Sequence, residues 1–227
     1  IHTGIMNNVL KKFNNFSKEY FENKYENERR YDKLFKNADT YLEKILQKIN
    51  ELEFDKNSII VVLSDHGISL GEKFGERAYG AFCYDYTIKT FCYIKSPEIK
   101  PKTIHQQVRH IDIMPTILDM LGISLSKNYE NLDGISLMPL IKGGILDENI
   151  AYSETGNPLD EKAPPKEPNI HSIRTTNWKL IYNSHNNSKE LYDLKTDPNE
   201  NNNLIGGKLE IEEILWKHLL KIKNKNT

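Results

Sequence analysis

The sequence predicts an α/β fold followed by a small C-terminal antiparallel β plus helix unit, and three observations carry that prediction. Apolar residues recur at steps of three and four from Glu28 to Leu52, one stripe of a long amphipathic helix. A continuous β-branched run, Ile59-Ile60-Val61-Val62-Leu63, follows after a turn and stops at the polar group Ser64-Asp65-His66-Gly67. Beyond Pro168 come two strand-like segments and a final helical pattern.

Composition narrows the function classes. The 227 residues carry 31 Lys+Arg and 32 Asp+Glu, a formal net charge of −1, which argues against a nucleic-acid backbone binder. With 38% hydrophobic residues there is material for a core. Two cysteines exclude a disulfide scaffold or a thiolate-rich zinc site and slightly favour the cytoplasm. No apolar run approaches the roughly 20 residues that span a bilayer. The chain opens on Ile1 and reads as a piece of a longer protein.

Residues 1–26 show no sustained period and read as a loop with a short helix. The helix over 28–52 presents Tyr31, Leu34, Phe35, Ala38, Tyr41, Leu42, Ile45, Leu46 and Ile49 on one face and Lys and Glu on the other. Continuous runs such as 59–63 predict a strand buried on both faces, as in a parallel sheet, with ligands at its C-terminal edge. Residues 67–82 are a Gly-rich, charged loop, and Ile88 to Ile94 reads as a second strand ended by Pro97. Ile111 to Leu121 is a helix with Pro115 in its first turn, Asp112 or a neighbour as its cap and Gly122 as its stop. Loop dominates 123–170, with a short strand at 150–153. Segments 172–182 and 190–194 form a hairpin, and 209–222 is helical. The domains expected are 1–150, the α/β core, and 151–227, the small β-hairpin and helix unit.

Asp65 and His66 lead the candidates for chemistry. A carboxylate and an imidazole side by side at a strand end offer two ligands to a divalent ion, although a turn Asp beside a surface His is the plainer reading. Lys73 and Arg77 in the following loop offer charge-assisted hydrogen bonds to an anion such as sulfate or phosphate, and salt bridging with Glu72 and Glu76 accounts for them equally well. His105, His110, His171 and His185 lack metal-ligand spacing. Cys83 and Cys92 have no CxxC partner and read as small core residues.

These pieces occur in a recognisable order. Ser64-Asp65-His66-Gly67 with Leu70-Gly71-Glu72 resembles the metal-binding segment of the sulfatase family, within the alkaline phosphatase superfamily. Tyr84-Asp85-Tyr86-Thr87-Ile88-Lys89-Thr90 is similar to a strand entry of that family. His110 to Ile123, with Asp112, Pro115 and Thr116, is similar to its helix, and Leu132-Asp133-Gly134-Ile135-Ser136-Leu137-Met138-Pro139-Leu140 to the segment that follows. Arg174-Thr175 through Trp178-Lys179-Leu180-Ile181, then Glu190-Leu191-Tyr192-Asp193-Leu194 and Asp197-Pro198-Asn199-Glu200, resembles its C-terminal signature.

The resemblance implies a partial alkaline-phosphatase/sulfatase-like mixed sheet flanked by helices, and hydrolysis of sulfate esters of small molecules or glycans. It implies a divalent metal, calcium first, with manganese, magnesium or zinc as alternatives, held in part by Asp65 and His66. Lys73, Arg77 and His2 would meet the anionic group. Lys73 stands where many members have His, Arg77 lies near but not on the place of an active-site Lys, and His2 is followed by Gly4 where the family has Pro. The family's nucleophile is a formylglycine made from Cys or Ser in a Cys/Ser-x-Pro-x-Arg motif. This sequence holds no such motif, so the nucleophile is expected upstream of Ile1, and the chain alone is expected to be inactive. Phosphodiester or phosphonate monoester hydrolysis, phosphotransfer, and a non-catalytic relative are the alternatives.

Overall fold

The computed structural model describes residues 18–76, 79–124, 132–156 and 167–224, so the expectations for His2 and Arg77 lie outside the described residues. The chain divides into two compact units, 1–97 and 98–227. Residues 98–150, grouped by sequence with the preceding core, share the second unit.

In the first unit α1 (Lys18–Glu22) leads into the long helix α2 (Lys24–Glu51). Strand β1 (Ile60–Leu63), the short helix α3 (Asp85–Ile88) and strand β2 (Cys92–Lys95) follow. The β-branched run does form a strand, but its neighbour among the described residues, β2, is antiparallel, with Val61 opposite Ile94 and Leu63 opposite Cys92. Neither face of β1 is fully buried and Leu63 is exposed, contrary to the expectation from its continuous apolar run. Ile88 closes the helical turn α3 rather than opening the second strand, which begins at Cys92. Cys83 is buried as expected; Cys92 is exposed.

The apolar stripe of α2 is largely exposed, with Phe35, Tyr41, Ile45 and Leu46 all on the surface. Its N-terminal end is held firmly. Asn27, buried, donates through Nδ2 to the carbonyls of Tyr20 and Leu70, both at 2.8 Å. Tyr20 O–H donates to the Ser69 carbonyl at 2.6 Å, and its burial raises the phenol to about 12. Both contacts clamp the helix start onto the loop that leaves β1.

In the second unit a 3-10 turn (His110–Asp112) runs into α4 (Ile113–Met120), and α5 (Met138–Ile141) follows. Asp112 precedes α4 but does not cap it through its side chain. Its carboxylate turns back instead. Oδ2 accepts from Arg109 N at 2.9 Å and Nε at 3.1 Å, and Oδ1 from Arg109 Nη2 at 2.7 Å and Ile135 N at 3.1 Å. Thr116 Oγ1 donates to the Asp112 carbonyl at 2.6 Å and accepts from Leu137 N at 2.9 Å. Gly134 passes so close to Ile111 that a Cβ would lie 1.8 Å from its carbonyl oxygen. Two stretches distant in sequence are thereby one packed element.

Strands β3 (Ala151–Thr155), β4 (Ile170–Arg174), β5 (Trp178–Asn183) and β6 (Ser188–Asp193) form a four-stranded antiparallel meander, in the order β3-β4-β5-β6. The segment 172–182, expected as one strand, is two, because the chain turns at 175–177, where Thr175 N–H donates to the Trp178 carbonyl. Helix α6 (Glu210–Lys223) covers one face. Its acidic first turn and basic last turn suit the helix dipole. Leu215 and Leu219, one turn apart, pack with Ile173, Leu180 and Leu191 into a fully buried cluster, each side chain contributing about 1.5–3 kcal/mol. Gln107 ties the preceding segment to this sheet: its Nε2 donates to the Arg174 carbonyl at 3.0 Å.

Candidate functional site

The polar residues that end β1 are displayed by a tight backbone crossing. Gly67 N–H donates to the Thr87 carbonyl at 2.8 Å, and a Cβ at Gly67 would lie 2.2 Å from the Tyr86 carbonyl oxygen. Only glycine lets the chain leaving β1 cross the α3 backbone at this distance. Gly71, at φ +108°, then lets the loop close against the Tyr20 carbonyl. Glu72 Oε2 accepts from Leu70 N at 2.7 Å and from Ser69 Oγ at 3.1 Å. Gly71 and Glu72 are therefore loop architecture.

Asp65 is exposed and His66 half-buried. Asp65 Oδ1 accepts from His66 N at 2.9 Å, and Asp65 Oδ2 stands 3.7 Å from His66 Nε2. His66 Nδ1 lies 2.6 Å from the Gly67 carbonyl, which only an N–H can satisfy, so the neutral ring carries its proton on Nδ1 and its lone pair on Nε2. The backbone thus presents Nε2 and Oδ2 as two adjacent electron-pair donors, a chemistry that fits a divalent ion. No cluster of three or more such ligands occurs among the described residues.

Tyr79 packs edge-on against the His66 ring at 5.3 Å. Lys73 Nζ lies 5.0 Å from the centroid of the Tyr84 ring, a cation–π contact, and Tyr84 stacks on Tyr86 at 5.6 Å. Tyr86 O–H donates to Glu76 Oε2 at 3.1 Å, and the other oxygen of Glu76, which is fully buried, accepts from Ala81 N–H. Burial and the Glu76 charge push the Tyr86 phenol far above its ordinary range. Glu76 is thus the internal brace of the loop. The sequence reading missed Tyr79, Glu76, Tyr86 and Thr87 as builders of this region. The close-set glycines were the one signal available, since each marks a crossing that another residue must fill. His105, His110 and His185 are exposed and belong to the second unit.

The family model described as Sulfatase matches residues 2–123, and that described as N-sulphoglucosamine sulphohydrolase, C-terminal, matches 75–225. The chain is 29% identical over 199 residues to an N-acetylglucosamine-6-sulfatase of Bos taurus, covering 74% of this chain and 34% of the relative. It is 32% identical over 177 residues to an N-acetylglucosamine-6-O-sulfatase of Bacteroides thetaiotaomicron, covering 71% and 28%. Among solved structures, one in complex with its substrate D-glucosamine-2-N,6-O-disulfate superposes with TM-score 0.64 at 26% identity, covering 82% of this chain and 38% of that one. A phosphonate monoester hydrolase from Silicibacter pomeroyi superposes with TM-score 0.66 at 23% identity, covering 83% and 39%, a likeness of fold. The chain spans about a third of the length of the curated relatives it matches. With both family models matching more than half of its residues, the chain belongs to the sulfatase family.

Proposed function

We propose that the chain is the C-terminal part of a metal-dependent sulfuric ester hydrolase, in which Asp65 and His66 supply two ligands of a divalent ion, calcium first. The observation that carries this reading is the pairing of Asp65 Oδ2 with a His66 Nε2 whose lone pair the Gly67 carbonyl fixes, within the residues that the Sulfatase model matches. When bound, the metal supplies Lewis-acid stabilisation of charge on the ester oxygens. The chain's own residues do the rest. Gly67 and Thr87 hold the strand end, Tyr79 limits rotation of the imidazole, and Lys73, with Arg77 and His2, neutralises the anionic group. Sugar or small-molecule sulfate esters are the substrate class, in keeping with the names of the relatives. The nucleophile, a formylglycine in this family, is supplied by sequence outside this chain.

Two ligands leave most of the six or more coordination positions of calcium unfilled. The isolated chain therefore binds calcium weakly and turns over no ester. Calcium titration of the purified chain, with Asp65→Ala and His66→Ala beside it, checks the ligands: both variants lose what binding there is. A polypeptide that joins the chain to its nucleophile-bearing part cleaves aryl sulfate faster than aryl phosphate or phosphonate. The reverse order favours the phosphonate monoester hydrolase reading, to which the superposition with the Silicibacter pomeroyi enzyme points. Cleavage of none of them favours a non-catalytic relative.

A further inference from the structure

His171 sits on β4 where β3, β5 and the end of α6 meet, and it is buried. Its Nε2 lies 3.0 Å from Lys223 Nζ in the last turn of α6, and its Nδ1 lies 2.9 Å from Tyr152 Oη on β3. Tyr152 O–H donates to Glu154 Oε2 at 2.5 Å. A lysine ammonium has donors and no acceptor. His171 Nε2 therefore accepts, the imidazole proton sits on Nδ1 and is donated to Tyr152 Oη, and the tyrosine proton goes to Glu154. The series Lys223, His171, Tyr152, Glu154 is complete only for this one neutral tautomer. The imidazole is flanked by the stacked rings of Tyr152 at 6.2 Å and Tyr182 at 6.3 Å, and Tyr182 meets Trp216 of α6 edge-on at 5.0 Å.

We propose that this cluster is a proton-operated latch, in which proton uptake at His171 Nε2 sets an N–H against the Lys223 ammonium and releases the last turn of α6 from the sheet. The charges that face the ring come from several elements. Glu154 on β3, 3.5 Å from Nδ1, favours the imidazolium, and Lys223 on α6 opposes it from 3.0 Å. Tyr152 on β3 and Tyr182 on β5 face it with their rings, and Lys189 on β6 lies over the Trp216 ring. Burial first and the Lys223 charge second hold the imidazole below its ordinary range, outweighing Glu154. A histidine lowered in this way stabilises the fold fully above its unfolded value of about 6.5. That contribution is lost as the pH falls through the lower folded value. Opening the latch restores the ordinary affinity for the proton, so acid favours the open form.

The test is hydrogen exchange of the backbone amides of 219–224 in the full chain, corrected for intrinsic rates, at about pH 7.5 and about pH 5. Protection there falls on acidification by up to about tenfold for each pH unit by which folding lowers His171, while 178–183 in β5 stays protected. His171→Gln keeps an acceptor for Lys223 but takes up no proton, so its protection is the same at both pH values. Lys223→Met removes the donor: protection is low at both, and the His171 imidazole, followed by NMR, titrates at higher pH than in the parent. Equal protection of the parent at both pH values overturns the proposal. So does an undiminished pH response in His171→Gln, or an unaltered His171 titration in Lys223→Met. Were His171→Gln not to fold, the two Lys223→Met readouts decide alone.

Discussion

Lys179 Nζ lies 2.7 Å from Glu200 Oε1, and both side chains are shielded from solvent, Lys179 at 0% and Glu200 at 1% exposure. The ion pair joins β5 to the loop after β6, two parts of the C-terminal signature separated in the chain by a whole strand. Glu200 reaches it from a left-handed backbone position, φ 55°. Removing one partner leaves a buried charge uncompensated. Lys179→Met or Glu200→Gln is expected to destabilise the fold by about 3–5 kcal/mol in urea unfolding. Replacing both with apolar residues restores much of that loss, because the desolvation of two charges is then avoided. A double-mutant cycle with no coupling would show the pair to be idle.

The carboxylate of Asp112 accepts four hydrogen bonds, three from Arg109 and one from Ile135, in a buried position. Asp112→Asn turns an acceptor into a donor facing these donors and removes the charge that pairs with Arg109. A loss of about 2–4 kcal/mol is expected, measured by denaturant unfolding. Because Ile135 belongs to the segment that Asp112 holds, exchange of the 135–137 amides accelerates with it, whereas exchange in β5 does not.

Glu26, at the start of α2, accepts from Arg29 at 2.8 and 3.0 Å and from Arg30 at 2.6 Å. These two guanidinium groups lower its carboxyl from 4.5 to about 2. The stabilisation this gives α2 is present above the unfolded value and lost as the pH falls through about 2. NMR titration of the side-chain carboxyl follows it directly. Added salt and Arg29→Ala with Arg30→Ala both move the midpoint back towards 4.5, since the pair lies at the surface.

Elements with their own period or stop signal were legible in the sequence. The helix ending at Gly122 is one, for that residue takes φ +65° just past α4; the final helix with its Leu215–Leu219 spacing is another. The strand at 60–63 was legible as a strand but not in its pairing, because β-branched residues serve either kind of neighbour. Asp65 and His66 were legible because they are polar, adjacent and placed where an apolar run stops. The network behind them was not. Glu76 reads as a surface charge among surface charges, and its burial is decided by Tyr86 and Ala81, which arrive from the next turn of the chain. The exposed stripe of α2 shows the same limit, since periodicity names the apolar face and not the surface that covers it.

Gly67 is where the fold and the proposed chemistry meet most closely. A Cβ there would lie 2.2 Å from the Tyr86 carbonyl oxygen and 3.0 Å from its carbon, both backbone atoms that no rotamer change can move. Gly67→Ala must separate the strand end from α3. That weakens the Gly67 N–H to Thr87 carbonyl bond and shifts the Gly67 carbonyl that orients the His66 ring. Overpacking of this kind costs about 1–3 kcal/mol in unfolding measurements. The His66 Nδ1–H resonance is the more telling readout. In the parent its hydrogen bond to the Gly67 carbonyl protects the proton from exchange with water. In Gly67→Ala that proton exchanges faster and the Nε2-lone-pair tautomer loses its dominance. Thr87→Ala, which keeps the backbone carbonyl that Gly67 uses, leaves the tautomer unchanged. If Gly67→Ala left both stability and tautomer as they were, Asp65 and His66 would owe their arrangement to something other than this crossing.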